Sequence, residues 1–378
     1  MTRVAKLRLG AQVALAIGLM VVLLRGLDGA EVGRLLVSAD WRWLGWALVA
    51  LTVQTFCSAY RWRLTARALG QDFGHLKAVS EYYLAQFFNQ TLPGGLLGDA
   101  GRAIRARHHA GLVRASQAVA FERLAGQGAL FAIMAFAFFV AILVPFGASW
   151  PLWLTAAGLA PALGLAGLAG LIALGTRLPG RLGRGLGDLQ AAFRASVLDR
   201  RAFPIQVVLS FATAGLNVTA FAFAAKATGT DLTLAQTMAL GPAILCFMLV
   251  PITVSGWGLR EGAAAALFPL AGASPEAGLA ASVAFGLTFL VAALPGIVPF
   301  FRMGPRRVHW VDTLDDQEID RIPLELLVSA ETQREAEAEA ADEARARAFW
   351  RARRRRLDDP NIRPEPPQRR GSAGGPAV

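Results

Sequence analysis

The chain has 378 residues, 54% of them hydrophobic and 17% charged, with a mean hydropathy of +0.44 and a formal charge of +11. Soluble domains carry about 25% charged residues, so the composition argues against a soluble globular fold. The positive excess sits in residues 1–302, with 24 basic and 12 acidic side chains against 14 and 15 in 303–378, where anionic lipid headgroups account for it and nucleic acid is not needed.

Apolar stretches of spanning length fall near 8–24, 43–60, 117–145, 151–175, 205–225 and 277–301. About 20 such residues cross a hydrocarbon core of roughly 30 Å as a helix. The first stretch follows Arg3, Lys6 and Arg8 as a signal peptide would. It runs on to Arg25-Gly26-Leu27-Asp28 without a small-residue cleavage site, and reads as a retained span. Two further stretches break instead of crossing. Residues 76–92 stop at Pro93-Gly94-Gly95 and lead through Gly98-Asp99 to Arg102. Residues 234–250 stop at Pro251 and lead through Gly256-Trp257-Gly258 to Arg260-Glu261. Pro removes a donor and Gly frees the backbone, and in hydrocarbon the released polar groups must face protein or a wet cavity. Each break follows one apolar span and precedes another, the pattern of an inverted repeat with a site at its interface.

The expected fold is therefore an all-α polytopic membrane protein with about six full spans and two broken or re-entrant elements, about eight segments by hydropathy. Arg and Lys concentrate at the N-terminus, at 61–77, at 102–114 and at 177–201, while 146–150 and 270–276 have none, which places both termini in the cytoplasm. Charge counting gives the same parity whether 234–271 is a re-entrant hairpin or two short spans. Residues 1–303 form the membrane domain. In 304–378, residues 331–357 read as an exposed helix, acidic first and basic last, able to take a cytoplasmic protein partner, and Pro360 to Val378 as a disordered tail. Gly183-Arg184-Gly185-Leu186-Gly187, within a basic loop, reads as a flexible connector.

Enzyme signatures are missing. The three lysines lie outside any P-loop pattern, and no H-E-x-x-H or G-x-S-x-G occurs. Cys57 and Cys246 in apolar stretches read as inert thiols, and the adjacent His108-His109 is poor spacing for a metal. No catalytic residue, metal or cofactor is expected. What remains is a set of ionisable residues at membrane depth: Asp99, Arg102, Glu122, Arg123, Arg260 and Glu261. Arginine's planar fork matches phosphate oxygens, so Arg102 and Arg260 lead as headgroup ligands, with Asn89, Gln86 and Gln90 beside the first break lining a groove or bonding broken backbone. Plainer readings stand beside these. Arg102 could be a flank charge like Arg105, Glu122-Arg123 an interfacial pair, and Arg260-Glu261 a lock onto Asp99 or Arg102.

Phe87-Phe88-Asn89, Leu92-Pro93-Gly94, Gly98-Asp99 and Arg102, then Glu122-Arg123-Leu124, then Gly256-Trp257-Gly258-Leu259-Arg260-Glu261-Gly262 together resemble, in order, the signature of the flippase-like family, named also for the transmembrane region of lysylphosphatidylglycerol synthase. The similarity covers roughly residues 5–302. Leu97 stands where another Gly is expected and Glu122 where Asp is common. The resemblance implies a domain with two re-entrant elements that moves lipids or lipid-linked molecules between leaflets. The residues after Met303 are too few and too polar for the soluble aminoacyl-transfer domain of full-length synthases. The high ratio of Arg to Lys points to a bacterial genome, and the leading expectation is a bacterial inner-membrane lipid translocase acting on anionic or lipid-linked headgroups. Without an ATP site its transport would run downhill or be ion-coupled. Two other classes remain open: an integral membrane enzyme modifying a lipid, and a non-catalytic membrane partner that recruits a cytoplasmic enzyme.

Overall fold

A chain inside a bilayer must satisfy its backbone internally, and the described residues answer with helices alone. The computed structural model describes residues 3–92, 97–143, 152–249 and 253–302, all within the unit Met1–Val308. The breakers Pro93, Gly94, Gly95 and Pro251, and the expected 331–357 helix and tail, lie outside the described residues.

In chain order the helices are α1 Arg3–Gly26, α2 Gly29–Val37, α3 Trp41–Ala68, α4 His75–Thr91, α5 Leu97–Leu143 and α6 Leu152–Gly175, followed by α7 Arg181–Ser196, α8 Phe203–Ala227, α9 Leu234–Cys246, α10 Leu259–Leu267, α11 Pro275–Ala293 and α12 Ile297–Arg302. Among the described residues four helices are long and apolar enough to cross a membrane, and a fifth span results if α1 and α2, bent by 101°, count as one. Asp28 makes that bend by capping α2: its carboxylate accepts from the amides of Ala30 and Glu31 at 3.0 and 3.2 Å. The remaining expected span, 43–60, lies in α3. Its apolar run is interrupted by the buried Gln54, Thr55 and Ser58: Gln54 Nε2 donates to Ser58 Oγ at 3.0 Å, and Thr55 Oγ1 donates to Gln86 Oε1 at 3.0 Å.

Length separates spans from broken elements. At 1.5 Å per residue, α4 reaches about 26 Å, α9 about 20 Å and α10 about 14 Å, short of a roughly 30 Å core. α5 is two limbs. Ala110 (φ −150°) and Gly111 (φ 78°) leave helical geometry, so a short limb from Leu97 precedes the spanning limb. Only glycine takes that left-handed φ without strain.

The two halves face each other through matched polar stripes. Gln54, Ser58, Arg61 and Thr65 on α3, and Gln206, Ser210, Thr213 and Asn217 on α8, share the spacing i, i+4, i+7, i+11, which keeps each set on one helix face. Gln206 Nε2 donates to Thr65 Oγ1 at 2.9 Å, and Arg61 Nη1 donates to Ser210 Oγ and Thr213 Oγ1 at 3.2 and 3.0 Å. Numbers fall on one helix as they rise on the other, so the spans preceding the two breaks pack antiparallel, as an inverted repeat requires. The exchange continues beyond them: α4 packs on α11, and α9 on α5.

The connector expected at Gly183–Gly187 is instead part of the helix α7. Its Ala192 is buried and its Phe193 meets Phe121 edge-on at 5.2 Å. Packing of this apolar face outweighs three helix-weakening glycines.

Candidate functional site

The stripes end in a cavity of about 240 Å³ between the halves. α3 contributes Gln54, Ser58 and Arg61; α4 contributes Tyr82, Gln86, Asn89 and Gln90; α5 contributes Asp99, Glu122, Arg123 and Gln127. From the second half come Thr213 and Asn217 on α8, Met248 and Leu249 after α9, Ser255 in the second break and Phe289 on α11.

The first break is fastened by Asn89. Its Oδ1 accepts from the Gly98 amide at 2.8 Å and its Nδ2 donates to Asp99 Oδ2 at 2.9 Å, so the last turn of α4 caps the first turn of α5 from across the break. The second break is fastened by Glu261, whose Oε2 accepts from the Gly258 amide at 2.7 Å. Ser255, Gly256 and Gly258 all have left-handed φ, of 48°, 78° and 88°. Serine rarely adopts that conformation. Here its hydroxyl donates to Gln90 Oε1 at 2.5 Å, which joins the two broken elements directly.

Around this junction runs a chain of alternating charges. Arg61 Nη2 donates to Glu122 Oε1 at 2.6 Å, Arg102 Nη2 donates to Glu122 Oε2 at 3.2 Å and to Asp99 Oδ1 at 2.7 Å, and Arg123 pairs with Asp99 Oδ2. Tyr82 adds its hydroxyl to Glu122 Oε1 at 3.3 Å. Arg61, Arg102 and Glu122 are almost wholly buried, whereas the Arg123 side chain is 32% exposed. Desolvating ions this far demands several partners each, and both carboxylates have three.

Arg102 and Arg260, the leading candidates on sequence grounds, do not line the cavity. Arg102 lies behind it, between the rings of Trp62 and Tyr82 at 4.6 and 4.5 Å. Arg260 pairs with its neighbour Glu261 and donates from Nε to Ser282 Oγ at 2.9 Å and from Nη2 to the Ser282 carbonyl at 3.1 Å. It is flanked by Trp257 and Phe285 at 5.2 and 5.3 Å, so the pair braces α10 against α11 and makes no bridge to Asp99 or Arg102. Glu122 and Arg123 do not pair with each other either; they point to different partners. Of the expected residues, Asn89, Asp99, Glu122 and Arg123 reach the cavity, and Gln86 and Gln90 with them. Arg61 is the functional candidate missed in the sequence, where it was counted as a flank charge; its place in the 54, 58, 61, 65 stripe was the available signal.

Arg61 and Gln86 line the cavity, and in each a donor buried away from it, Arg61 Nε and Gln86 Nε2, has no hydrogen-bond partner among the described residues. Unsatisfied buried donors are costly, and both call for an acceptor. Among the described residues no group of His, Cys, Asp or Glu is arranged to hold a metal ion.

Fold and site together define a class: a polytopic α-helical membrane protein with two broken helical elements meeting at a polar, charged cavity. The chain matches the lysylphosphatidylglycerol synthase TM region family over residues 10–296, more than half its length, and belongs to that family. A comparison with curated proteins finds no match.

Proposed function

We propose that this protein is a lipid translocase of the bacterial inner membrane, with both termini cytoplasmic and residues 1–303 as its membrane domain. A phospholipid or lipid-linked headgroup passes through the cavity between the two broken elements while its acyl chains stay in lipid. The observation that carries this reading is the polar cavity at the junction of the breaks, lined by Arg61 and Arg123 together with Gln86 and Asn89. Its volume equals roughly eight water molecules, the scale of one small headgroup and too small for acyl chains. Family membership supports a role in lipid modification or transport. Residues 304–378 then form a cytoplasmic extension, whose 331–357 segment offers a charged surface to a protein partner.

Within this reading Arg123 and Arg61 touch the phosphate. Arg123 is the mobile ligand: it is the most exposed of the cluster, and Asp99 keeps Arg102 and Asn89 when Arg123 leaves it. Arg102 and the Arg260–Glu261 pair hold the walls in place. A hydrogen bond to a charged group is worth about 1.5–3 kcal/mol, so Arg123→Ala is expected to slow translocation roughly ten- to hundredfold. The measurement is leaflet-to-leaflet movement of tail-labelled anionic phospholipids in proteoliposomes, at matched reconstitution. A rate equal to wild type would remove Arg123 from the path. No wild-type movement of any anionic or glycolipid probe would shift the function to lipid modification, with Asp99 and Glu122 as the paired carboxylates.

A further inference from the structure

We propose that Arg260 is a second phosphate ligand on the headgroup's path, its Nη1 covered in this conformation by the side chain of Met248 and bared to the cavity when that side chain turns away. The inference rests on the translocase reading of the same cavity and adds one contact to its path.

The sequence sets the two breaks in register. Pro93, Gly98 and Arg102 recur at one constant offset, 158 residues, as Pro251, Gly256 and Arg260, and at that offset Gln90 corresponds to Met248. The fold keeps the correspondence: Gln90 and Met248 line the cavity, while Arg102 and Arg260 stand behind it, each 1% exposed. What separates arginine from cavity differs between the halves. Asp99 and Glu122 line the cavity and hold Arg102, so a phosphate approaching that arginine meets two carboxylates first, and like charges repel. In the second half no lining residue is ionisable, and the residue that touches both cavity and arginine is Met248.

The bonding of Arg260 leaves one arm to spare. Nε donates to Ser282 Oγ at 2.9 Å and Nη2 to the Ser282 carbonyl at 3.1 Å, and both also reach Glu261, which fixes the guanidinium between α10 and α11. The hydrogen bond described for Nη1 runs instead to Met248 Sδ, at 3.7 Å. A thioether sulfur is a weak acceptor, and the unbranched methionine side chain turns about three bonds. A phosphate oxygen in its place makes a charge-assisted bond, about twice as strong as a neutral one. With Met248 turned aside, Nη1 serves the phosphate while Nε and Nη2 go on bracing the helices.

The test is calorimetric binding of dioctanoyl phosphatidylglycerol, and of its phosphate-free counterpart dioctanoylglycerol, to purified full-length protein in detergent. Met248→Ala removes the cover, and is expected to bind the phosphate-bearing lipid about tenfold tighter than wild type with no such gain for dioctanoylglycerol. Arg260→Lys keeps a cation beside Glu261 but lacks the forked Nη1 arm, and combined with Met248→Ala it should abolish the gain. Melting temperatures show which variants fold. Met248→Val, also too short to reach Nη1, serves if the alanine variant does not, and the comparison of the two lipids stands without the Arg260 variant. A gain of equal size for both lipids overturns the proposal, as does a gain that persists beside Arg260→Lys, or no gain at all. Lipid movement in proteoliposomes separates the two claims. A phosphate-specific gain in a protein that moves no lipid sinks the translocase reading and leaves the Arg260 contact standing. Wild-type movement with no gain in Met248→Ala does the reverse.

Discussion

Glu122→Ala is expected to destabilise the protein by about 3–5 kcal/mol, because it strips a shared partner from two buried arginines at once. Glu122 is 1% exposed, and its two oxygens face different cations: Oε1 meets Arg61 at 2.6 Å and Oε2 meets Arg102 at 3.2 Å. Without it, Arg61 keeps only the hydroxyls of Ser210 and Thr213 as described hydrogen-bond partners, and Arg102 keeps Asp99. Three guanidiniums would then stand near one carboxylate, two of them, Arg61 and Arg102, almost wholly buried. Glu122→Gln retains the acceptor oxygen and should lose less. The double variant Arg61→Met with Glu122→Met removes one cation with the carboxylate, and should recover part of the loss; the two sites touch, so their effects will not add. Thermal unfolding of the purified variants decides it. A Glu122→Ala protein that melts with wild type would mean that the alternating chain contributes nothing to stability.

Much of this architecture was written locally. Spans are legible because a bilayer leaves the backbone few options, and a run of apolar residues of the right length has one use there. The second break was legible at Gly256 and Gly258, whose positive φ angles need glycine, and the ionisable residues stood out by their depth in apolar sequence. Partner choice was not legible. Glu122 answers to Arg61, 61 positions away in the same half, and Gln90 to Ser255, 165 positions away in the other, and such pairings exist only once the helices have packed. Arg61 was hidden for a different reason: it follows an apolar run, where a cytoplasmic flank charge would also stand. The signal against that reading was the stripe from Gln54 to Thr65, and its twin from Gln206 to Asn217. α7 was hidden by glycines that disrupt propensity but leave Leu186, Leu189, Phe193 and Val197 at helical spacing.

Gly98 provides the second large expected effect, and a comparison with Gly101 isolates its cause. Both lie in the first limb of α5, where alanine gains about 0.8–1 kcal/mol over glycine from helix propensity alone. A Cβ at Gly101 would meet the tip of the Arg105 guanidinium at 2.9 Å, a flexible end that can move aside. A Cβ at Gly98 would overlap the backbone carbonyl of Ala85 on α4, which cannot move without shifting the whole helix. That shift would part the Asn89 side chain from the Gly98 amide and from Asp99, undoing the cap that closes the first break. Overpacking costs about 1–3 kcal/mol, and an unsatisfied buried group adds about 1–3 more. Gly98→Ala should therefore lose roughly 2–5 kcal/mol, while Gly101→Ala stays near wild type or gains. Because Asp99 also holds Arg123, Gly98→Ala should lose lipid movement even at temperatures where it remains folded. Melting curves with translocation assays on both variants check the pair. Equal behaviour of the two would show that close approach of α4 and α5 is not what the glycine at 98 is for.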